Sequence, residues 1–171
     1  MNGREHIARL DNLNIYEMQI LKKLCENIDI QRLLDNGDPS YDPHTLKWDY
    51  IRPEVYYPKV GDAARTYITF GISGDVYGGK TEKMLYVNFY IYCHDSLLRT
   101  DKGKRTTLIA SVIDKLFNGT HDIALGEMQL TQFDGNFSAT QDYHGYHLIY
   151  AVRDFNNLSN SDTLSLSLIH I

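Results

Sequence analysis

The chain has 171 residues, 43% of them hydrophobic and 23% charged. That is ordinary for a folded domain and excludes disorder, collagen and coiled-coil arrays. The 17 basic and 22 acidic residues leave a formal charge of −5, so the broad basic face of a sequence-independent nucleic-acid binder is not expected.

At about 150 residues per domain, the length predicts one domain, taken here as residues 1–157, with 158–171 as a tail. No run of about 18 apolar residues could span a membrane, and no polybasic block could anchor to one. The opening Met1-Asn2-Gly3-Arg4-Glu5-His6 has no apolar segment of the kind a secretory leader needs. The two cysteines, Cys25 and Cys93, fit no metal spacing and fall in apolar patterns. They read as reduced core residues made in a reducing cytoplasm.

In chain order, Asn14-Ile15-Tyr16-Glu17 has the capping-box pattern, with Asn14 as the cap. Met18, Leu21, Cys25 and Ile28 follow at helical spacing. Asp29 could cap a further short turn that Asn36-Gly37-Asp38-Pro39 ends. Residues 35–65 hold all four prolines and read as an extended arm or loop. So long an irregular stretch is unusual inside one domain, and packing against a neighbouring subunit would account for it.

The next segments alternate with period two. Residues 66–72 and 84–94 predict two strands, joined as a hairpin by the glycine-rich residues 74–79. In the second strand Leu85, Val87, Phe89, Ile91 and Cys93 share one face, and Tyr86, Asn88, Tyr90, Tyr92 and His94 the other. Residues 104–118 predict a helix, because Ile109, Val112, Ile113, Leu116 and Phe117 match the i, i+3, i+4, i+7, i+8 template. Gly119 stands where a left-handed C-terminal residue belongs. Residues 123–133 and 143–155 predict two more strands, turning at Asp134-Gly135-Asn136. The order α-β-β-α-β-β implies an α+β fold: an antiparallel or mixed sheet of two hairpins with helices on one face. The final Leu166-Ser167-Leu168-Ile169-His170-Ile171 matches the translation of a common sequencing adapter, so residues 158–171 are set aside and a metagenomic source is expected.

Several motifs invite a chemical reading. Gly74-Asp75-Val76-Tyr77-Gly78-Gly79-Lys80-Thr81 satisfies the P-loop pattern. That chemistry needs a helix N-terminus after Thr81, aimed at phosphate. Residues 84–90 alternate like a strand instead, so Gly74, Gly79, Lys80 and Thr81 read as a hairpin turn and no cofactor is expected. In Asp142-Tyr143-His144-Gly145-Tyr146-His147 the two histidines have opposite parity and would point to opposite faces of a strand, which argues against a metal site. The adjacent Cys93 and His94 fail as a nucleophile–base pair for the same reason. No carboxylate pair is brought together by spacing and no G-x-S-x-G elbow occurs. No catalytic residue is therefore assigned, and the chain is not read as an enzyme. Arg99, Lys102, Lys104 and Arg105 cluster at the start of the 104–118 helix. They read as a solvated helix entrance, with a phosphate contact as the functional alternative.

The feature that stands out is aromatic. There are 13 tyrosines, and tyrosine suits surfaces half wet and half buried. Tyr86, Tyr90 and Tyr92 share a strand face, and Tyr56, Tyr57 and Tyr67 can join them. This surface is either an oligomer interface or a layer covered by the chain's own structure.

Taken together, residues 15–156 resemble the small neck proteins of tailed bacteriophages, tail terminators and related head–tail completion proteins. The likeness is carried by DIQRLLDN after an N-terminal helix, IRPEVYYP, the pair TYITFGIS and KMLYVNFYIYCH, the helix KRTTLIASVIDKLFNG, and YHGYHLIYAVRDFN. The resemblance implies a structural virion protein with no catalytic residues, assembled in the host bacterial cytoplasm into a ring, commonly a hexamer. Its partners would be other neck and tail-tube proteins and DNA that passes without specific binding, with no membrane. A ring needs a heterologous interface that closes. The alternatives are a head-completion or adaptor protein on the portal, a P-loop-like nucleotide-binding enzyme using residues 74–81, and a small ligand-binding α+β module.

Overall fold

A computed structural model of the chain describes residues 10–77 and 81–156. Two helices lead: α1 over Asp11–Glu26 and α2 over Ile28–Leu34. A two-residue strand β1 (Ile51–Arg52) follows, then the long hairpin β2 (Thr66–Tyr77) and β3 (Glu82–His94). A small ribbon, β4 (Arg99–Thr100) with β5 (Gly103–Lys104), opens into helix α3 (Arg105–Phe117). Strands β6 (Gln129–Asp134), β7 (Ser138–Thr140) and β8 (Tyr143–Phe155) complete the order.

The main sheet runs β1-β2-β3-β8-β6, with β7 also paired to β8. All its ladders are antiparallel except β1 with β2, which is parallel and short. The sheet is therefore mixed and the fold is α+β, as the element order implies. The helices lie on one face. Leu85, Val87, Phe89 and Ile91 of β3 meet Ile109, Ile113 and Phe117 of α3 and Ile20, Leu21 and Leu24 of α1 in one core. Each such side chain, fully buried, contributes about 1.5–3 kcal/mol.

Helix α3 matches its predicted limits to within a residue, and Gly119 takes φ 79° just beyond its end. The N-terminal helix differs. It starts at Asp11 with Leu10 at the cap position, which places Asn14 inside the helix. Its core stripe is Ile20, Leu21 and Leu24, while Met18 and Ile28 are 36% and 55% exposed. Apolar residues lie on both sides of this helix, and contact with the sheet decides which side is buried. The second helix is capped by Asn27, whose side chain accepts from the N–H groups of Asp29 and Ile30, and not by Asp29.

Other expectations shift too. The hairpin strands run on to Tyr77 and back from Glu82, longer than their alternation suggested. Residues 123–128 are not strand: Ile123 is buried in a run of bends, Met128 is buried in irregular chain, and Ala124 has φ 60°. The arm at 35–65 holds a 3-10 turn (Pro43–Thr45) and β1. It packs on its own sheet, because Tyr56 and Tyr57 settle against Tyr67 and Tyr92 of the tyrosine face. Residues 158–171 lie outside the described residues. Among the described residues no helix is long and apolar enough to cross a membrane.

Candidate functional site

The face of the sheet away from the helices is where the tyrosines gather. Register fixes their neighbours: Tyr67 pairs Tyr92, Thr69 pairs Tyr90, and Ser73 pairs Tyr86 across β2 and β3. On the other side of β3, Tyr92 faces Gly145, Tyr90 faces His147, and Tyr86 faces Ala151. The alternation of β3 therefore places its tyrosines as expected, but the face divides into two halves.

One half is covered by the chain itself. Tyr67, Tyr92 and Tyr143 form a second buried cluster, joined by Tyr56, Tyr90 and Phe137. Tyr56 lies 5.4 Å from Tyr67 and Tyr57 lies 6.2 Å from Tyr92, centroid to centroid. Arg52 sits over the Tyr56 ring at 4.2 Å, a cation–π contact. Tyr143 donates its hydroxyl to the carbonyl of Ala63 at 2.8 Å, tying the arm to β8. Tyr90 stacks on His147 at 4.3 Å with the planes 7° apart. Desolvation pushes the Tyr67 hydroxyl up to about 12 and pulls His147 below its ordinary value. Tyr67 and Tyr92 are thus 5% and 0% exposed and present no surface to a partner.

The other half is open. Tyr86 is half-buried, and around it lie Ser73, Asn88, Ile149 and Ala151, none of them buried. Tyr57, on the outer side of the arm, is 55% exposed, with Val55 at 52% and Val60 at 71% beside it. The candidate interface residues therefore sort by place. Tyr57 is exposed, Tyr56, Tyr86 and Tyr90 are half-buried, and Tyr67 and Tyr92 are interior.

The edge of the sheet is the other open feature. β2 pairs with β3 along its whole length. On its other side it meets β1 only at Ile68 and Thr69. Among the described residues the outer edge of 70–77 has no strand beside it, and it carries no lysine, arginine or proline. Unpaired edges lacking those residues are templates for strand pairing. At the opposite edge, Asn118 Oδ1 accepts from the N–H of Leu130 and so blunts β6.

Gly74 lies inside β2, paired with Leu85, and a Cβ there would stand 2.8 Å from the Met84 carbonyl. The glycine answers to strand packing. Thr81 is followed by strand β3, not by a helix, so a P-loop's phosphate-binding helix is missing. Gly79 and Lys80 lie outside the described residues. His144 and His147 do point to opposite faces: His144 Nε2 lies 3.0 Å from Asp95 Oδ1, while His147 stacks on Tyr90. Among the described residues, no three His, Cys, Asp or Glu side chains converge as metal ligands. In the basic cluster Arg105 turns inward. Its guanidinium donates to the carbonyls of Leu97 at 2.9 Å and Leu33 at 2.6 Å, locking α3 to the end of α2. Arg99, Lys102 and Lys104 stay exposed.

Two features were not anticipated from the sequence. Lys83 and Asp154 form a buried ion pair, although parity offered the signal: Lys83 is in phase with Leu85 and Val87, and Asp154 with Val152 and Tyr150. The second is a groove of about 630 Å³ beside α1, lined by Ile15, Met18, Leu21 and Cys25 with Lys22 and Lys47. Partial burial pushes the Cys25 thiol up to about 11, which keeps it protonated and unreactive near neutral pH.

The sequence was compared with known proteins. The model of a protein family described as YomW matches residues 20–152, which takes in α2, α3, nearly all of the sheet and the C-terminal part of α1. No curated protein matches the chain.

Proposed function

The chain belongs to the YomW family, a phage-associated family named after a gene of a Bacillus phage, and from that premise we propose that it is a structural virion protein of the tailed-phage neck. In this reading it is a tail terminator. Copies assemble in the host cytoplasm into a ring, a hexamer, at the head–tail junction. Its partners are other neck and tail-tube proteins, and DNA passes through without specific contacts.

The observation that carries the reading is the unfinished side of the sheet. The outer edge of residues 70–77 has no strand beside it among the described residues. The sheet face around Tyr86 next to it has no covering layer among the described residues either. Pairing with a neighbour would satisfy the edge N–H and C=O groups and cover the aromatic surface in one contact. Exposed Tyr57 supplies a second aromatic anchor of the type that dominates interface energies. The net charge of −5 suits a channel that must not hold phosphates.

Sedimentation velocity on the full chain and on Val76→Lys tests the edge. Val76 is 56% exposed, so a lysine there leaves the core untouched while opposing strand addition. The wild-type chain is expected to assemble and the variant to remain a folded monomer. Equal assembly by both would remove the edge from the interface.

A further inference from the structure

We propose that the open edge of β2 pairs with the same edge of a second copy, residues 70–76 running antiparallel about a two-fold axis at Ser73. The inference rests on the reading above that this edge is an interface, and it gives that contact a partner and a symmetry. The direction of the free groups follows from β1. Ile68 donates its N–H outward, to the carbonyl of Tyr50. Main-chain groups alternate sides along a strand, so Phe70, Ile72, Gly74 and Val76 also point theirs outward. Among the described residues no strand meets them there. Such a row is a template for another strand.

Among the described residues the chain offers that row no different strand of matching length. On the far edge, residues 118–120 fill the outer side of β6. Asn118 Oδ1 accepts from the N–H of Leu130, Gly119 donates to the carbonyl of Met128, and Met128 donates to that of Thr120. A register shift between Leu130 and Gln132 interrupts the strand just beyond. β1, β4 and β5 have two residues each, and β7 has three. What matches the open row is a second β2. A contact between like edges is isologous and closes as a pair. In a hexamer it would join subunits two by two, with three pairs closing through a second surface.

Charge and side-chain size choose the direction and the register. Asp75 is the one charged residue in the row 70–77. Parallel pairing about an axis along the strand would set Asp75 beside its own copy, and like charges directly opposite destabilise a sheet. Antiparallel pairing with Ser73 opposite Ser73 sets Asp75 against Gly71 instead. Ile72 then stands opposite Gly74, where no side chain competes, and Phe70 opposite Val76. Every outward N–H and C=O of the row meets a partner in this register. The two-fold axis is normal to the sheet, so the helix-covered faces of both copies stay on one side. Ser73 pairs Tyr86 across β3, so the half-buried Tyr86 surfaces of the two copies merge into one face.

Oxidative cross-linking of the full chain carrying Ser73→Cys tests the pairing, with sedimentation velocity on the same samples. Opposite residues of a non-hydrogen-bonded antiparallel pair have Cα atoms about 4.5 Å apart, within disulfide reach. Ser73 and Asp75 are exposed, so a cysteine at either position leaves the core untouched. Without reductant, Ser73→Cys is expected to shift from 19.7 kDa to twice that mass. Asp75→Cys, placed opposite Gly71, is expected to stay at 19.7 kDa. So is the wild type, with its free Cys25 and Cys93. Val76→Lys added to Ser73→Cys should abolish the link. Ser73→Cys chains that assemble but cross-link no better than Asp75→Cys overturn the two-fold pairing and leave the edge as an interface with a different partner. Chains that stay monomeric in sedimentation overturn the pairing together with the reading it rests on.

Discussion

Lys83 Nζ lies 3.3 Å from Asp154 Oδ2 across β3 and β8, with the two side chains only 6% and 4% exposed. Tyr16 of α1 donates its hydroxyl to the same carboxylate oxygen at 3.3 Å. The pair thus closes the helix-covered face at the end of the sheet where β3 begins and β8 ends.

Breaking that pair from one side leaves a buried charge without its counterion. Lys83→Met is expected to cost about 3–5 kcal/mol, and Lys83→Met with Asp154→Leu to recover most of it. Urea unfolding of the wild type and the two variants checks this. A double variant as unstable as the single one would mean that the loss comes from packing and not from the orphaned carboxylate.

Gly145 faces Tyr92 in the tyrosine cluster, and a Cβ there would stand 2.5 Å from Phe137 Cδ1 and 3.0 Å from the Phe137 carbonyl. Gly145 also donates its N–H to that carbonyl at 2.6 Å. Gly145→Ala should therefore cost about 1–3 kcal/mol by overpacking. Thermal unfolding measures the loss. Hydrogen exchange should find it concentrated in β7 and β8, leaving α1 protected as before.

The buried tyrosines predict alkaline unfolding. Burial raises Tyr67 to about 12, and burial together with the Asp154 carboxylate raises Tyr16 to about 12, against 10 for an unfolded chain. Above pH 10 the unfolded state loses phenolic protons that the folded state keeps. Stability is therefore intact below pH 10 and falls as the pH climbs toward 12. Absorbance of tyrosinate and far-ultraviolet circular dichroism should change together in that window. Tyrosinate appearing with the fold intact would contradict the packing of this face.

Much of this architecture was legible because two periodicities are clean. Leu85, Val87, Phe89 and Ile91 alternate without error, and Ile109, Ile113 and Phe117 keep helical spacing, so β3 and α3 could be placed and faced toward each other. The tyrosine face followed from the same parity. What parity cannot supply is the identity of the covering layer. Tyr67 and Tyr92 have the same pattern as Tyr86, and only the path of residues 53–65 over one half of the sheet separates them. Helix α1 was misphased because Met18 and Ile28 are as apolar as Ile20 and Leu24. Asn27 and Asp29 are equally good caps on paper, and backbone geometry selects Asn27.

Light scattering on a size-exclusion column, across a range of concentrations, tests ring formation most directly. A species near six times 19.7 kDa, or a monomer that converts to it as concentration rises, is the expected result. A mass of 19.7 kDa at every concentration would contradict self-assembly through the open side of the sheet.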